Sequence, residues 1–308
     1  MTGESNPMAE FFRKIGQHTI CSKSSWWYEV QPKVLLSFPY YKLIEPGEDE
    51  INELFRQHKL RAIRYPAPIN AFGFPSSLEL NTDPSYDLSR LEREARRQTR
   101  QGLANCKFEQ IDFDFLAEHG LALNRDTAER QGRETIYTDP KYWGKYCEAG
   151  KGTPGITAWG VFAEGKLGTF LVAAEFEDWW NWLLTHSSTA LLKKRPSNVL
   201  FYEATRQFFQ NNPGKKICYG LGSLELVSAL DSFKLNMGIT MQPIKQRIVF
   251  SKTMRCLFSP AQEPCLRVLN KIFPKSYTIR KACAMIRLYR RQSYDVPVIE
   301  SSESDEPQ

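Results

Sequence analysis

Two runs rich in β-branched and aromatic residues, 156–162 and 167–176, flank Glu164-Gly165-Lys166, and no other stretch limits the fold as tightly. A glycine in a short polar connector between two apolar runs marks a β-hairpin, because the turn must enter a left-handed conformation that glycine adopts without strain. The chain beyond the hairpin extends the sheet and covers it. Residues 179–188 read as a third strand, and 196–210 as a helix stopped by Asn211-Asn212-Pro213-Gly214. A short buried strand over 217–219, a helix over 224–237 ended by Gly238, and a long strand over 240–250 complete this half.

Ahead of the hairpin, residues 1–22 are weakly patterned and fit a short helix or arm. Residues 25–43 are aromatic and β-branched but interrupted by Pro32 and Pro39, which suits edge strands. Residues 48–59 read as a helix with acids in its first turn, and 60–80 return to a strand-like pattern. A helix is predicted over 87–103 with Arg90, Arg93, Arg97 and Arg100 on one face. Then come a strand over 109–111, helices over 113–130 and 139–148, and a loop over 150–155. Antiparallel hairpins mixed with crossover helices predict a mixed α/β (α+β) fold. The expected organisation is an arm over 1–24, a first lobe over 25–110, a second over 111–251, a basic helical extension over 252–292 and a disordered acidic tail over 293–308.

Composition narrows the function classes. Hydrophobic residues make up 42% of the 308 and seven are Trp, which excludes a largely disordered chain. The net charge of +6 is unevenly placed: residues 252–292 hold ten Lys or Arg and one acid, whereas 293–308 hold five acids and no base. The basic field is local, and no protein-wide nucleic-acid surface is implied. The extension suits docking on the protein body, on an anionic membrane surface or on RNA. Cys21, Cys106, Cys147, Cys218, Cys256, Cys265 and Cys283 are scattered without C-x-x-C spacing, so no metal site is spelled out and reduced thiols in a cytoplasmic protein are expected. No apolar run reaches the length of a membrane span, and the N-terminus has no apolar leader core.

The most specific run is Tyr219-Gly220-Leu221-Gly222-Ser223, with Leu230-Asp231-Ser232-Phe233-Lys234-Leu235-Asn236-Met237-Gly238 after it. Together with the order hairpin, strand, helix, strand, helix, strand, it resembles the GNAT acyltransferases, in particular their FemAB-like branch. Phe233, Lys234 and Gly238 match the branch's spacing, and Thr127, Arg130 and Gly132-Arg133 also resemble it. The resemblance spans residues 25–250 and is stronger from 87 onward. It implies two tandem GNAT-like domains, each a mixed, largely antiparallel sheet flanked by helices, and an N-acyltransferase that moves an acyl group from an acyl-CoA-type thioester to an amine of a small molecule or peptide. Acyl-CoA is then a co-substrate, with no tightly bound cofactor. An aminoacyl-tRNA donor, with tRNA as partner, and a non-catalytic binding module on the same fold are the alternatives. Two departures from acetyl-CoA-dependent GNATs stand out: residues 191–198 lack the glycine-rich phosphate loop, and Phe233 stands where many carry Tyr. The FemAB-like branch shares both.

Lys193, Lys194 and Arg195, with Ser197 and Asn198, precede or open a helix that begins at Pro196; they read as a donor-phosphate site or as a solvated basic loop. Lys234 holds an anionic group, or else pairs with Asp231 on its own helix. Glu175 alternates with Glu177 on one strand face and is the first candidate base, against the plainer reading of two acids on a wet face. His186 shares strand parity with Trp180, Trp182 and Leu184, as a proton shuttle or a core histidine. Arg130, Trp180, Trp182 and Tyr219 are the candidate substrate-binding residues, the tryptophans as pocket wall or as core.

Overall fold

A computed structural model of the chain describes residues 6–132, 134–222, 228–257, 268, 272 and 277–295. Much of the basic extension, and the acidic tail from 296 onward, lie outside the described residues. The described chain begins with α1 (Pro7–Lys14), where the Asn6 carboxamide oxygen accepts from the Met8 and Ala9 amides. Strands β1 (Thr19–Cys21), β2 (Trp26–Gln31) and β3 (Val34–Phe38) form a meander, and α2 (Glu48–His58) crosses over to β4 (Ala62–Ala67), parallel to β3. Strand β5 (Phe74–Asn81), α3 (Arg93–Leu103), β6 (Cys106–Ile111), α4 (Phe113–Arg130) and α5 (Pro140–Lys151) come after it. Next are β7 (Ile156–Ala163), β8 (Lys166–Phe176), β9 (Trp179–Ser187), α6 (Pro196–Asn211) and β10 (Lys216–Leu221). Helix α7 (Ser228–Asn236), β11 (Thr240–Phe250), α8 (Lys252–Leu257) and α9 (Tyr277–Arg290) close the described chain.

The eleven described strands form one sheet in the order β1-β2-β3-β4-β11-β5-β10-β9-β8-β7-β6. The two halves of the sequence interleave in it: β11 lies between β4 and β5, and β5 between β11 and β10. Alternating side chains bury opposite faces. In β8, Phe170, Val172 and Ala174 pack toward α1, α4 and α5, with Phe11, Leu116 and Trp143, while Leu171 and Ala173 pack toward α6, with Val199, Leu200 and Phe208. In β4, Ile63 and Tyr65 pack on Ile51 and Leu54 of α2, and Ala62 faces Met285 and Ile286 of α9. The fold is mixed α/β, as the strand and helix order predicts.

The hairpin closes through Glu164 and Gly165, both at positive φ, with Ala163 opposite Lys166; this is a two-residue turn of the kind that matches strand twist. The helix over 113–130 and the strand over 240–250 form with the expected bounds. Three local expectations are corrected. The helix expected over 87–103 starts at Arg93, because the Asp87 carboxylate accepts from the Ser89 amide at 2.7 Å and closes a lone 3-10 turn. Leu91 is then extended, and the Glu92 amide donates to Asn236 O at 2.9 Å. Arg90 therefore leaves the arginine face and pairs with Asp83 at 2.8 Å. The loop expected over 150–155 starts late, since α5 runs on to Lys151. Glu177 sits at φ 53° in the turn after β8 and bonds Tyr41 and Lys42, so it shares no strand face with Glu175.

Candidate functional site

Strands β9 and β10 run parallel but pair only over Trp179–Asn181 and Lys216–Cys218. Beyond those residues they separate, β9 continuing to Ser187 and β10 to Leu221. Each carries an irregularity where they part. Against β8, the register of β9 shifts so that Leu183 has no opposite residue; against β5, the register of β10 shifts so that Tyr219 has none. An extra residue on one strand bends it and ends regular pairing, and two flanking one gap open the sheet at its middle. Main-chain N–H and C=O groups along the two inner edges then face the gap rather than a neighbouring strand.

Two cavities meet at this opening, and Trp182, Leu183 and Tyr219 line both. The first, of about 510 Å³, lies on the α6 side and is lined also by His186, Ser187, Arg195, Ser197, Asn198, Phe233 and Lys234. The second, of about 340 Å³, is walled by both halves of the chain: Tyr28, Leu36, Tyr40 and Arg64 from the first, Tyr137 and Tyr146 from the second, and Met285 from α9. Among the described residues, no aspartate or glutamate lines either cavity.

The first turn of α6 is set close to α3 by Gly102 and close to β8 by Gly168. A Cβ on Gly102 would come within 2.9 Å of Arg195 O and 2.6 Å of Val199, and one on Gly168 within 3.0 Å of Pro196. Arg195 occupies the N-cap at φ 63°, Pro196 is the first helical residue, and the first turn has no side-chain cap. Its amides therefore remain donors at the cavity wall. The Arg195 Nε is buried without a hydrogen-bond partner. Ser197 and Asn198 line the same wall. Lys194 is drawn away to Glu164 of the β7–β8 turn at 2.7 Å, and the exposed Lys193 lines neither cavity.

The opening's far end is held by α4. The Thr127 hydroxyl donates to Ser187 O and accepts from the Ser187 amide, both at 3.1 Å. The Arg130 guanidinium donates to Ser187 O at 3.2 Å, Ser187 Oγ at 3.0 Å and Thr189 Oγ1 at 2.6 Å. Arg130 thus lines the α6-side cavity while fixing where β9 ends.

His186 lies on the opposite sheet face from Trp180 and Trp182, contrary to its sequence parity, because the extra residue Leu183 reverses the alternation. Its ring sits against Phe170 and Tyr137. The Asn124 amide donates to Tyr137 O at 2.9 Å, which turns Asn124 Oδ1 toward His186 Nδ1 at 2.6 Å. That geometry assigns a proton to Nδ1. Glu175 and Trp180 lie away from the opening, around a void of about 60 Å³ at the start of β9. Glu175 pairs there with Lys215 at 3.1 Å, and Trp180 stacks on Phe208. Trp182 and Tyr219 stand at the opening itself; burial raises the Tyr219 phenol well above its ordinary range, and its hydroxyl lies 2.6 Å from Thr205 Oγ1.

Lys234 pairs with Glu79 and not with Asp231 of its own helix. Its ammonium donates at 2.6 Å to Glu79 of β5, which is 1% exposed. Burial pushes the Glu79 carboxyl above its ordinary range, and Lys234 opposes that rise. Glu79, Arg64, Tyr28, Tyr40 and Asn124 were not legible as site residues: each is an isolated polar residue in an ordinary strand or helix, and only the interleaved sheet brings them near the opening.

Sequence comparison finds no matching protein-family model and no matching curated protein. Solved structures share the architecture: FemX, at a TM-score of 0.56 and 11% identity, over 84% of this chain and 94% of that one. The C-terminal domain of a putative lysylphosphatidylglycerol synthetase from Agrobacterium fabrum matches at 0.54 and 11%, over 84% and 92%. The lysylphosphatidylglycerol synthetase structure from Bacillus licheniformis matches at 0.51 and 12%, over 80% and 90%. A large mixed sheet flanked by helices is the architecture that matches these structures. The protein has the GNAT-like fold in its FemAB-like form.

Proposed function

We propose that this protein is an acyltransferase that moves an acyl group from a phosphate-bearing carrier to an amine across the opening between β9 and β10. The observation that carries the reading is that opening itself, bulged on both edges, with a separate cavity on each side and three residues common to both. The donor enters from the α6 side, where the uncapped first turn, Arg195, Ser197 and Asn198 receive its phosphate. The amine enters from the other side. Its nitrogen bonds to the acyl carbon, the bond from that carbon to the carrier's sulfur or oxygen breaks, and the proton lost by the amine ends on the departing thiol or hydroxyl. Main-chain amides at the opening polarise the acyl carbonyl, and the two walls hold the reactants in line. With no carboxylate lining either cavity among the described residues, positioning and polarisation carry more of the rate than a dedicated carboxylate base.

A second reading takes aminoacyl-tRNA as the carrier. The likeness to FemX and to the lysylphosphatidylglycerol synthetases favours it, as do the ten cations of residues 252–292. Thermal shift against coenzyme A, acetyl- and longer acyl-CoAs and bulk tRNA separates the two. A donor at ~100 times its dissociation constant stabilises by about 2.7 kcal/mol. Stabilisation by acyl-CoA that Arg195→Ala removes supports the thioester donor. Stabilisation by tRNA alone, falling steeply with salt, supports the second reading. No stabilisation by any of them leaves a non-catalytic binding module.

A further inference from the structure

The sheet ends on two edges that differ in kind. At one, β1 is three residues long. At the other, β6 runs over six residues, contains no proline and pairs β7 along its whole length without a register shift. Among the described residues its main chain hydrogen-bonds to β7 alone. Alternate residues therefore turn their N–H and C=O groups outward, where a further strand can add. Shortness, bulges and proline are the usual guards against such pairing, and β6 has none of them. Its charges decide which strand fits. Lys107 and Glu109 share the sheet face that Ile111 presents to the α4 side, pair with each other, and have side chains 75% and 38% exposed. Phe108 lies between them on the α6 side, half-buried and stacked on Trp159 at 5.3 Å. A second β6 laid antiparallel about a two-fold axis through Phe108 sets Lys107 opposite Glu109 of the second copy, twice over, and Phe108 opposite its own counterpart. Sliding the register by two residues sets Lys107 against Lys107 in one direction and Glu109 against Glu109 in the other. Opposite charges directly across a strand pair attract and like charges repel, so the register centred on Phe108 is the self-complementary one.

We propose that two copies of this chain join through β6, antiparallel about Phe108, into one continuous sheet. Strand β6 stands three places from β9 in the strand order, so the dimer leaves the opening and both cavities uncovered, whichever reaction they support. One strand pair buries area at the low end for specific interfaces, which sets the dissociation constant at about 1–100 μM.

Sedimentation equilibrium of the full chain from about 1 to 200 μM tests this, and the expected result is a monomer–dimer equilibrium. Lys107→Glu should weaken the dimer at least about tenfold, because carboxylate then faces carboxylate at both symmetry-related positions; Glu109→Lys should do the same with two cations. Lys107→Glu/Glu109→Lys exchanges the charges and should bring the dissociation constant back to within about threefold of the native value, a rescue that loss of folding does not give. Amide hydrogen exchange of the native chain locates the contact without any substitution: residues 106–111 should exchange more slowly at about 200 μM than at about 2 μM. A chain that stays monomeric to about 200 μM, a dimer that both single variants leave intact, or a double variant no tighter than the single ones overturns the proposal. So does a dimer whose formation leaves exchange in residues 106–111 unchanged.

Discussion

Glu79 and Lys234 lie 155 positions apart in the chain, yet their 2.6 Å contact ties β5 of the first half to α7 of the second beside the α6-side cavity. With Glu79 1% exposed, the carboxylate depends on that ammonium for its charge. Lys234→Met should cost about 3 kcal/mol or more at pH 8, the range for stranding one member of a buried pair. The sign with pH is set by the raised Glu79 carboxyl. Without Lys234 it rises further, so the native state binds a proton that the unfolded chain has released above its ordinary value of about 4.3. That contribution is present at low pH and is lost as pH rises through the folded value. The melting-temperature deficit of Lys234→Met should therefore shrink from pH 8 to pH 5; a deficit that is constant or grows on acidification refutes the coupling. Glu79→Gln in the Lys234→Met background should recover stability at pH 8. Nothing in the sequence around Glu79 marks it as a partner, whereas Lys234 stood out only through the Phe-Lys spacing of the family it resembles.

Single elements show where reading along the chain succeeds and where it stops. The helix Phe113–Arg130 has the expected bounds because its start is written locally: Asp112 accepts from the Phe115 amide at 2.7 Å. Strand β9 was legible as a strand, but not its bulge, since one extra residue leaves composition unchanged and reverses every later side chain. Helix α9 illustrates a third case. Its Met285 and Ile286 are buried against Phe74, Ile248 and Phe250, so this part of the basic extension docks on the protein body. The segment after it is clasped where β5 ceases to cover β11. Gln292 accepts from the Ile248 amide at 2.7 Å and donates to Ile248 O at 3.1 Å, and Ser293 bridges Gly73. Lys245, fully buried, donates to the carbonyls of Gly73, Ser293 and Asp295 at 3.5, 3.3 and 2.5 Å. Lys245→Met removes the donor to the Asp295 carbonyl and a second donor to the Gly73 and Ser293 carbonyls, which keep each other's amides, and should lower stability by about 1–3 kcal/mol. Limited proteolysis should then cut after α9 faster than in the native chain; unchanged cleavage and unchanged melting would mean that Gln292 and the bridge suffice.

At the scale of the whole molecule, the interleaving of β4-β11-β5-β10 means that neither half completes its own sheet. Without residues 111–251, β5 loses both neighbours and β4 loses β11; without residues 25–110, β11 loses both of its own. Unpaired central strands leave main-chain groups unsatisfied and apolar faces open. Calorimetry of the full chain should show one cooperative transition, and fragments cut at 110/111 should fold only when mixed or co-expressed. Two separate transitions, or a fragment that melts cooperatively alone, would contradict that coupling.

The sequence by itself determined most of the elements, their order and the class of fold, because hydrophobic period, turn glycines, prolines and caps act over a few residues and are written where they act. It also carried the family likeness through Phe233, Lys234 and Gly238. Tertiary structure alone decided how the halves interleave, that Glu79 receives Lys234, that His186 turns from the tryptophan face, and that Arg64, Tyr28 and Tyr40 gather on one wall. Strand pairing between distant segments and the position of a bulge depend on the sum of many contacts across the sheet, and no local run of residues encodes that sum.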